Sequence, residues 1–142
     1  KKPGTQEKKK TRVTRFTMDR KAPFQIDPKS ETIIIECESD GHNGAAMAFG
    51  KDGMLYITTG DGTSDSDTNV VGQDMTTLLA KVLRIDVDHP EPGKKYSVPK
   101  DNPFLHLKEA RPEIWALGLR NPWRNWPEAP GMERAKGETG VA

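Results

Sequence analysis

Proline is concentrated in the second half of the chain, and this limits the available folds more than any other feature. Eight of the 11 prolines lie between positions 90 and 130. Proline has no amide hydrogen and clashes with the preceding helical turn, so this stretch excludes a helix of any length. Within it, only residues 113–119 (EIWALGL) have the apolar character of a strand. The feature favours short strands joined by long loops.

Six segments show the residue patterns of β-strands. Three consecutive isoleucines at 33–35 have stiff, β-branched side chains that favour a pleated strand over a helix. Apolar and polar residues alternate at 81–87 (KVLRIDV), which is the period of a strand. An Asp-Gly turn at 50–53 joins two apolar segments and predicts a β-hairpin. With no substantial helix, the predicted strands are 12–17, 32–37, 45–49, 54–59, 81–87 and 113–119.

This order of strands leaves two all-β architectures open. Four successive strands with long loops fit one blade of a β-propeller or part of a β-sandwich. No internal repeat is visible, so repetition does not choose between them. We predict a basic loop or tail at 1–10, a β domain at 11–124 and an irregular, off-pattern segment at 125–142.

Charge and composition exclude several classes of protein. The chain has 22 basic and 21 acidic side chains, and a net charge of +1 gives no global field for binding nucleic acid or an anionic membrane. No apolar run approaches the ~18 residues of a membrane span, and the lysine-rich start lacks the apolar segment of a signal peptide. The single cysteine, Cys37, excludes an internal disulfide framework and a cysteine-based zinc cluster.

Three stretches between residues 12 and 124 carry distinctive motifs. They are His42-Asn43-Gly44 leading into AMAFGKDGMLYITTGDG, then KVLRIDVD with YSVPKDNPF, and finally PEIWALGLRNPWR. Together they resemble the glucose/sorbosone dehydrogenase family. The HNG, TGDG, VPKDNPF and GLRNPWR motifs occur in the family's order. Members of this family are soluble sugar dehydrogenases that depend on pyrroloquinoline quinone (PQQ) and fold as six-bladed β-propellers.

The resemblance implies a fragment of such a propeller, with about one and a half blades of four-stranded antiparallel sheet. The first two predicted strands would be the outer half of one blade, and the other four would be the next blade. After the NPWR motif the family's pattern is lost, so we expect a truncated or frame-altered piece of a longer product that is inactive alone. The family also implies a periplasmic or secreted location.

Four residues match the family's site, which lies at one end of the propeller. The resemblance makes His42 the general base that takes a proton from the sugar hydroxyl, and Asp61 the acidic neighbour that orients the imidazole. Arg120 and Asn121 would bind the quinone, since a planar guanidinium suits a carboxylated cofactor and an amide can donate and accept. The implied reaction is oxidation of a small sugar, with hydride transfer to PQQ and an unknown final electron acceptor. The family's Ca²⁺ would be held by ligands outside this chain.

Other interpretations of the same residues remain open. A propeller of this family without the cofactor would be a binding or recognition module. A separate question is the acidic loop made of Asp61, Asp65, Asp67, Asn69 and Asp74. Its oxygens suit Ca²⁺, but Val70 replaces the EF-hand glycine and Thr76 stands where the bidentate glutamate belongs. We therefore favour a solvated loop over a structural Ca²⁺ site.

Overall fold

The computed structural model describes residues 9–44, 46–63, 68 and 70–123. This part of the chain contains six strands in two antiparallel sheets. The strands are β1 (Lys10–Met18), β2 (Ile26–Glu38), β3 (Met47–Phe49), β4 (Leu55–Thr58), β5 (Lys81–Ile85) and β6 (Ile114–Leu117). β1 pairs with β2, and β3 to β6 form a four-stranded sheet in sequence order. The predicted all-β class is confirmed. These residues contain no helix that could cross a membrane.

The first two strands are longer than the apolar pattern predicts. β2 begins at Ile26, six residues before the predicted start at residue 32, and runs through Pro28. Pro28 is tolerated because the register jumps between the Arg15 and Thr17 pairs, so its missing amide removes no ladder bond. Lys10 belongs to β1 and not to the predicted tail. Residues 1–8 of that tail and the predicted irregular segment 125–142 lie outside the described residues.

A bulge in β2 carries an isoleucine into a core shared by the two sheets. Val13 pairs with Ile35 and Thr14 pairs with Ile33, so Ile34 is the extra residue of the bulged strand. Ile34 is buried in one cluster with Leu55, Ile57, Leu78, Leu83, Ile85, Val87 and Ile114. This cluster holds the β1–β2 hairpin against the four-stranded sheet.

β5 lies inside the four-stranded sheet and is buried along its whole length, including Arg84. The Arg84 side chain is 6% exposed, and its Nε and Nη2 donate to Asp52 Oδ2 at 3.0 and 2.8 Å. Its Nη1 donates to Asp101 Oδ1 at 2.7 Å and to Asn102 Oδ1 at 3.1 Å. The guanidinium also lies 4.8 Å from the centroid of the Trp115 ring. The long Pro-rich connection between β5 and β6, residues 86–113, therefore covers the polar face of β5.

Asn102 fixes that connection to the sheet. Its side-chain amide donates to Arg84 O at 3.0 Å and to Pro112 O at 2.9 Å. The VPKDNPF motif therefore has a structural role in this chain, because its Asp-Asn pair covers a buried arginine.

Candidate functional site

Two glycines allow the loop before β3 and the loop after β4 to pack main chain against main chain. A Cβ on Gly60 would lie 1.7 Å from His42 O, and a Cβ on Gly44 would lie 2.6 Å from Thr58 O. Gly44 also has φ +72°, a left-handed conformation that favours glycine. The HNG and TGDG motifs are therefore neighbours in space because their backbones interlock.

His42 and Asp61 form a hydrogen-bonded pair at this junction. His42 Nδ1 lies 2.9 Å from Asp61 Oδ1. The carboxylate is 1% exposed, whereas the imidazole is 13% exposed and so remains accessible. Because Nδ1 faces the carboxylate, Nε2 is the ring nitrogen left to exchange a proton with a ligand.

Thr63 binds the same oxygen of the Asp61 carboxylate that faces His42. Its backbone N–H and its hydroxyl each donate to Asp61 Oδ1 at 3.0 Å. Burial raises the pKa of Asp61, but the hydrogen bonds from Thr63 and His42 outweigh burial and hold that pKa below its usual range. The carboxylate is therefore ionised at neutral pH and can stabilise a protonated imidazole.

The lowered pKa of Asp61 predicts a loss of stability in acid. Its stabilising effect is complete above the unfolded-state pKa of about 3.9 and is lost as the pH falls through the lower folded-state pKa. We expect the free energy of unfolding to fall more steeply in acid for the wild type than for Asp61→Asn. Urea denaturation between about pH 2 and pH 7 measures both slopes. Equal slopes in the two proteins would contradict the prediction.

Arg120 reaches the same junction from the end of β6. The Asp61 backbone N–H donates to Arg120 O at 2.8 Å, and the Leu119 N–H donates to Ala80 O at 3.1 Å. The Arg120 side chain is exposed, and Asn121 is half-buried. The structure thus brings the side chains of His42 and Asp61 together with the main chain of Arg120, and Asn121 is next in the chain.

The sequence interpretation missed two further polar residues that lie at or beside the site, Thr63 and Gln73. Thr63 could have been found from the Asp-x-Thr spacing, because a residue two positions after an aspartate often bonds its carboxylate. Gln73 has no such local signal. Its Nε2 lies 3.4 Å from where a Cβ on Gly118 would stand, so this exposed amide lies beside the turn that leads to Arg120.

A cavity of about 200 Å³ lies between the two sheets and borders the site without including it. Its walls are largely apolar and include Val13, Met47 and Leu83. It reaches Gly44 and Thr59, but none of the four predicted site residues lines it. The candidate site is therefore the loop junction around His42 and Asp61, and not this cavity.

The acidic loop is only partly described. Asp65, Asp67 and Asn69 lie outside the described residues. Asp74 Oδ1 accepts hydrogen bonds from the backbone N–H and the hydroxyl of Thr76 at 2.8 and 2.7 Å, which is the local bonding expected of a solvated loop. Across the described part of the chain, no group of three or more His, Cys, Asp or Glu side chains is placed to hold a metal ion.

The chain is similar in sequence to several known proteins. The HIPL2 protein of Arabidopsis thaliana is 48% identical over 95 residues, which cover 61% of this chain and 14% of that protein. The Hedgehog-interacting protein of Mus musculus is 35% identical over 115 residues, or 80% of this chain and 16% of that protein. The chain therefore spans about one seventh of the length of these relatives.

A crystal structure described as an oxidoreductase (glucose dehydrogenase) from Thermus thermophilus matches with a TM-score of 0.51 and 32% identity. The match covers 70% of this chain and 27% of that chain. Together with the two antiparallel sheets, it confirms the predicted architecture, a portion of a glucose dehydrogenase β-propeller. Residues 1–125 match the family described as Glucose / Sorbosone dehydrogenase. The chain belongs to the glucose/sorbosone dehydrogenase family.

Proposed function

We propose that this chain is the part of a PQQ-dependent sugar dehydrogenase that carries the general base and a portion of the cofactor site. The observation that carries the proposal is the pair formed by the buried Asp61 carboxylate and the partly exposed His42 ring, whose Oδ1 and Nδ1 atoms lie 2.9 Å apart. The main-chain N–H of Asp61 also donates to Arg120 O. An ionised carboxylate and an imidazole thus meet at a loop junction that also includes the main chain of Arg120. Membership of the family supports the same reaction class.

His42 acts as the base in this proposal. With Nδ1 held by Asp61, Nε2 accepts the proton of the sugar hydroxyl at C1. Asp61 orients the ring and stabilises the imidazolium that forms, because its own pKa keeps it ionised. Membership of the family supports a small aldose as the substrate and a periplasmic or secreted location.

The donor chemistry at the junction fits a planar quinone that bears carboxylates. The exposed Arg120 guanidinium offers a fork of N–H donors to a carboxylate, and the Asn121 amide can donate and accept. When bound, PQQ supplies the acceptor for the hydride. We propose that the Ca²⁺ of the family is held by residues outside the described part of this chain.

Replacing His42 by alanine should lower dye-linked aldose oxidation by about 100-fold or more, because general base catalysis contributes at least that much. The assay uses the longest protein that carries this sequence, with added PQQ and Ca²⁺. His89→Ala is the matched control, since His89 Nδ1 also lies 3.0 Å from an aspartate, Asp86, but its side chain is 83% exposed. Unchanged turnover in His42→Ala would remove the base assignment, and an equal loss in both variants would reassign the effect to folding.

A second candidate is a protein-binding propeller without oxidoreductase activity. The likeness to a Hedgehog-interacting protein over 80% of the chain favours it. Calorimetric titration with a Hedgehog signalling domain, run beside the aldose assay, separates the two candidates. Binding without oxidation of any aldose supports the module, and oxidation without binding supports the dehydrogenase.

A further inference from the structure

Lys81 is a fully buried basic residue that the proposed reaction does not use. It is the first residue of β5 and has 0% exposure. Its ammonium donates to Val71 O at 2.8 Å and to Leu79 O at 2.6 Å. Both carbonyls belong to the β4–β5 loop, residues 59–80, which also carries Asp61. Removing an ammonium from water is costly unless such partners receive it, so these contacts decide whether the side chain can lie there.

The main chain of Lys81 closes the same loop at its base. Its N–H donates to Thr59 Oγ1 at 3.1 Å, and the Thr59 N–H donates to Lys81 O at 2.9 Å. Beside this closure the Ala80 N–H donates to Gly60 O at 2.8 Å. Asp61 follows directly, so the carboxylate that faces His42 lies two residues from the closure.

We propose that Lys81 is a positioning residue whose buried ammonium ties the middle of the β4–β5 loop to its end and thereby keeps Asp61 against His42. A cation that binds two main-chain carbonyls of one loop restrains that loop, as Ca²⁺ does where backbone carbonyls are among its ligands. The catalytic importance of Asp61 rests on the proposed function. The hydrogen bonds from the Lys81 ammonium to the two loop carbonyls can be measured without an activity assay.

The Lys81 ammonium also interacts weakly with the charge of Asp74. Hydrogen bonds from Thr76 and, to a smaller extent, the charge of Lys81 hold the pKa of Asp74 below its usual range. The contacts that bind the ammonium are those to the two carbonyls. A methionine would fill the same space without donating to either carbonyl.

The test compares Lys81→Met with Lys100→Met, an exposed lysine outside this loop. The Asp61 amide donates to Arg120 O, and this bond requires that the neighbouring loop closure hold Asp61 in place. In Lys81→Met we therefore expect the exchange protection of the Asp61 amide to fall about tenfold or more. The pKa of the Asp61 carboxyl, followed by carbon NMR, should rise toward its ordinary value. Asp86 is the internal control, because bonds from His89 and Asp88 hold it beyond the other end of β5. An unchanged Asp61 in a folded Lys81→Met protein would overturn the proposal.

A measurement on the wild type covers the case in which Lys81→Met fails to fold. Nitrogen NMR of the lysine ammonium groups should show Lys81 protected from exchange at neutral pH, with couplings across hydrogen bonds to the carbonyl carbons of Val71 and Leu79. The exposed Lys100 should exchange rapidly under the same conditions. A rapidly exchanging Lys81 without these couplings would overturn the proposal.

These readouts separate the inference from the proposed function. Loss of Asp61 protection in Lys81→Met, together with unchanged aldose oxidation in His42→Ala, would uphold the tie and reject the base. The reverse pair of results would uphold the base and reject the tie.

Discussion

Replacing Gly60 by alanine should destabilise the protein by about 3 kcal/mol or more and separate His42 from Asp61. A Cβ at this position would lie 1.7 Å from His42 O and 3.1 Å from Arg120 O. Both oxygens belong to the main chain, so neither can rotate out of the way, and one of the two loops must move. The free energy of unfolding in urea measures the loss, and nuclear Overhauser contacts to the His42 ring report the separation.

Gly53→Ala is the matched control because it changes the backbone strain at a glycine without creating a steric clash. Gly53 has φ +78°, and a Cβ there would meet nothing within 4 Å. Its replacement should cost only the strain of a left-handed alanine, roughly 1 kcal/mol. Equal losses for the two glycines would mean that the loop junction tolerates a methyl group, and the interlocked arrangement would be wrong.

Replacing Arg84 by methionine should cost about 2–4 kcal/mol of folding free energy. The change removes hydrogen bonds to Asp52, Asp101 and Asn102 and leaves the buried amide oxygen of Asn102 with one donor fewer. The two carboxylates are 36% and 55% exposed, so water takes over part of their solvation and keeps the cost below that of a fully buried pair. Loss of packing against Trp115 adds to the effect.

Arg12→Met provides the comparison for Arg84→Met. Arg12 also binds one carboxylate through two nitrogens, with Nε and Nη2 2.8 and 2.7 Å from Glu36 Oε2. Its side chain is 43% exposed, so its replacement should cost less than about 1 kcal/mol. Urea denaturation of both variants decides the matter. A cost for Arg84→Met no larger than that for Arg12→Met would show that the covered face of β5 contributes little to stability.

The order of the six strands could be predicted from sequence because each segment carries the apolar and β-branched residues that are typical of strands. The ends of the strands could not. β2 starts at Ile26 because β1 offers it partners, and β6 stops at Leu117 because Gly118 takes φ +91°. Pairing partners and turn conformations are tertiary facts that local periodicity does not contain.

The buried basic residues of β5 were beyond sequence reasoning for a physical reason. Lysine and arginine in an alternating strand are typical of a solvent-facing side. Here the acceptors for Lys81 are the loop carbonyls of Val71 and Leu79, and those for Arg84 come from Asp52 and from the Pro-rich connection. Such acceptors are recognised only when the chain has folded back on itself.

The candidate site was predicted by resemblance and not by local physics. Nothing within the HNG or TGDG motif indicates that His42 Nδ1 and Asp61 Oδ1 lie 2.9 Å apart. The two motifs meet because Gly44 and Gly60 leave room for main-chain contact, and that contact becomes visible only in three dimensions.

The glycine interlock divides the family signature into two kinds of information. Gly44 and Gly60 are required by the path of the backbone, whatever the protein does with its surface. His42 and the side chain of Arg120 are not needed for that path. A search pattern built on the glycines would therefore collect chains that share this backbone path. Under the proposed function, a pattern that also requires the histidine, the aspartate and the arginine would select those equipped for oxidation.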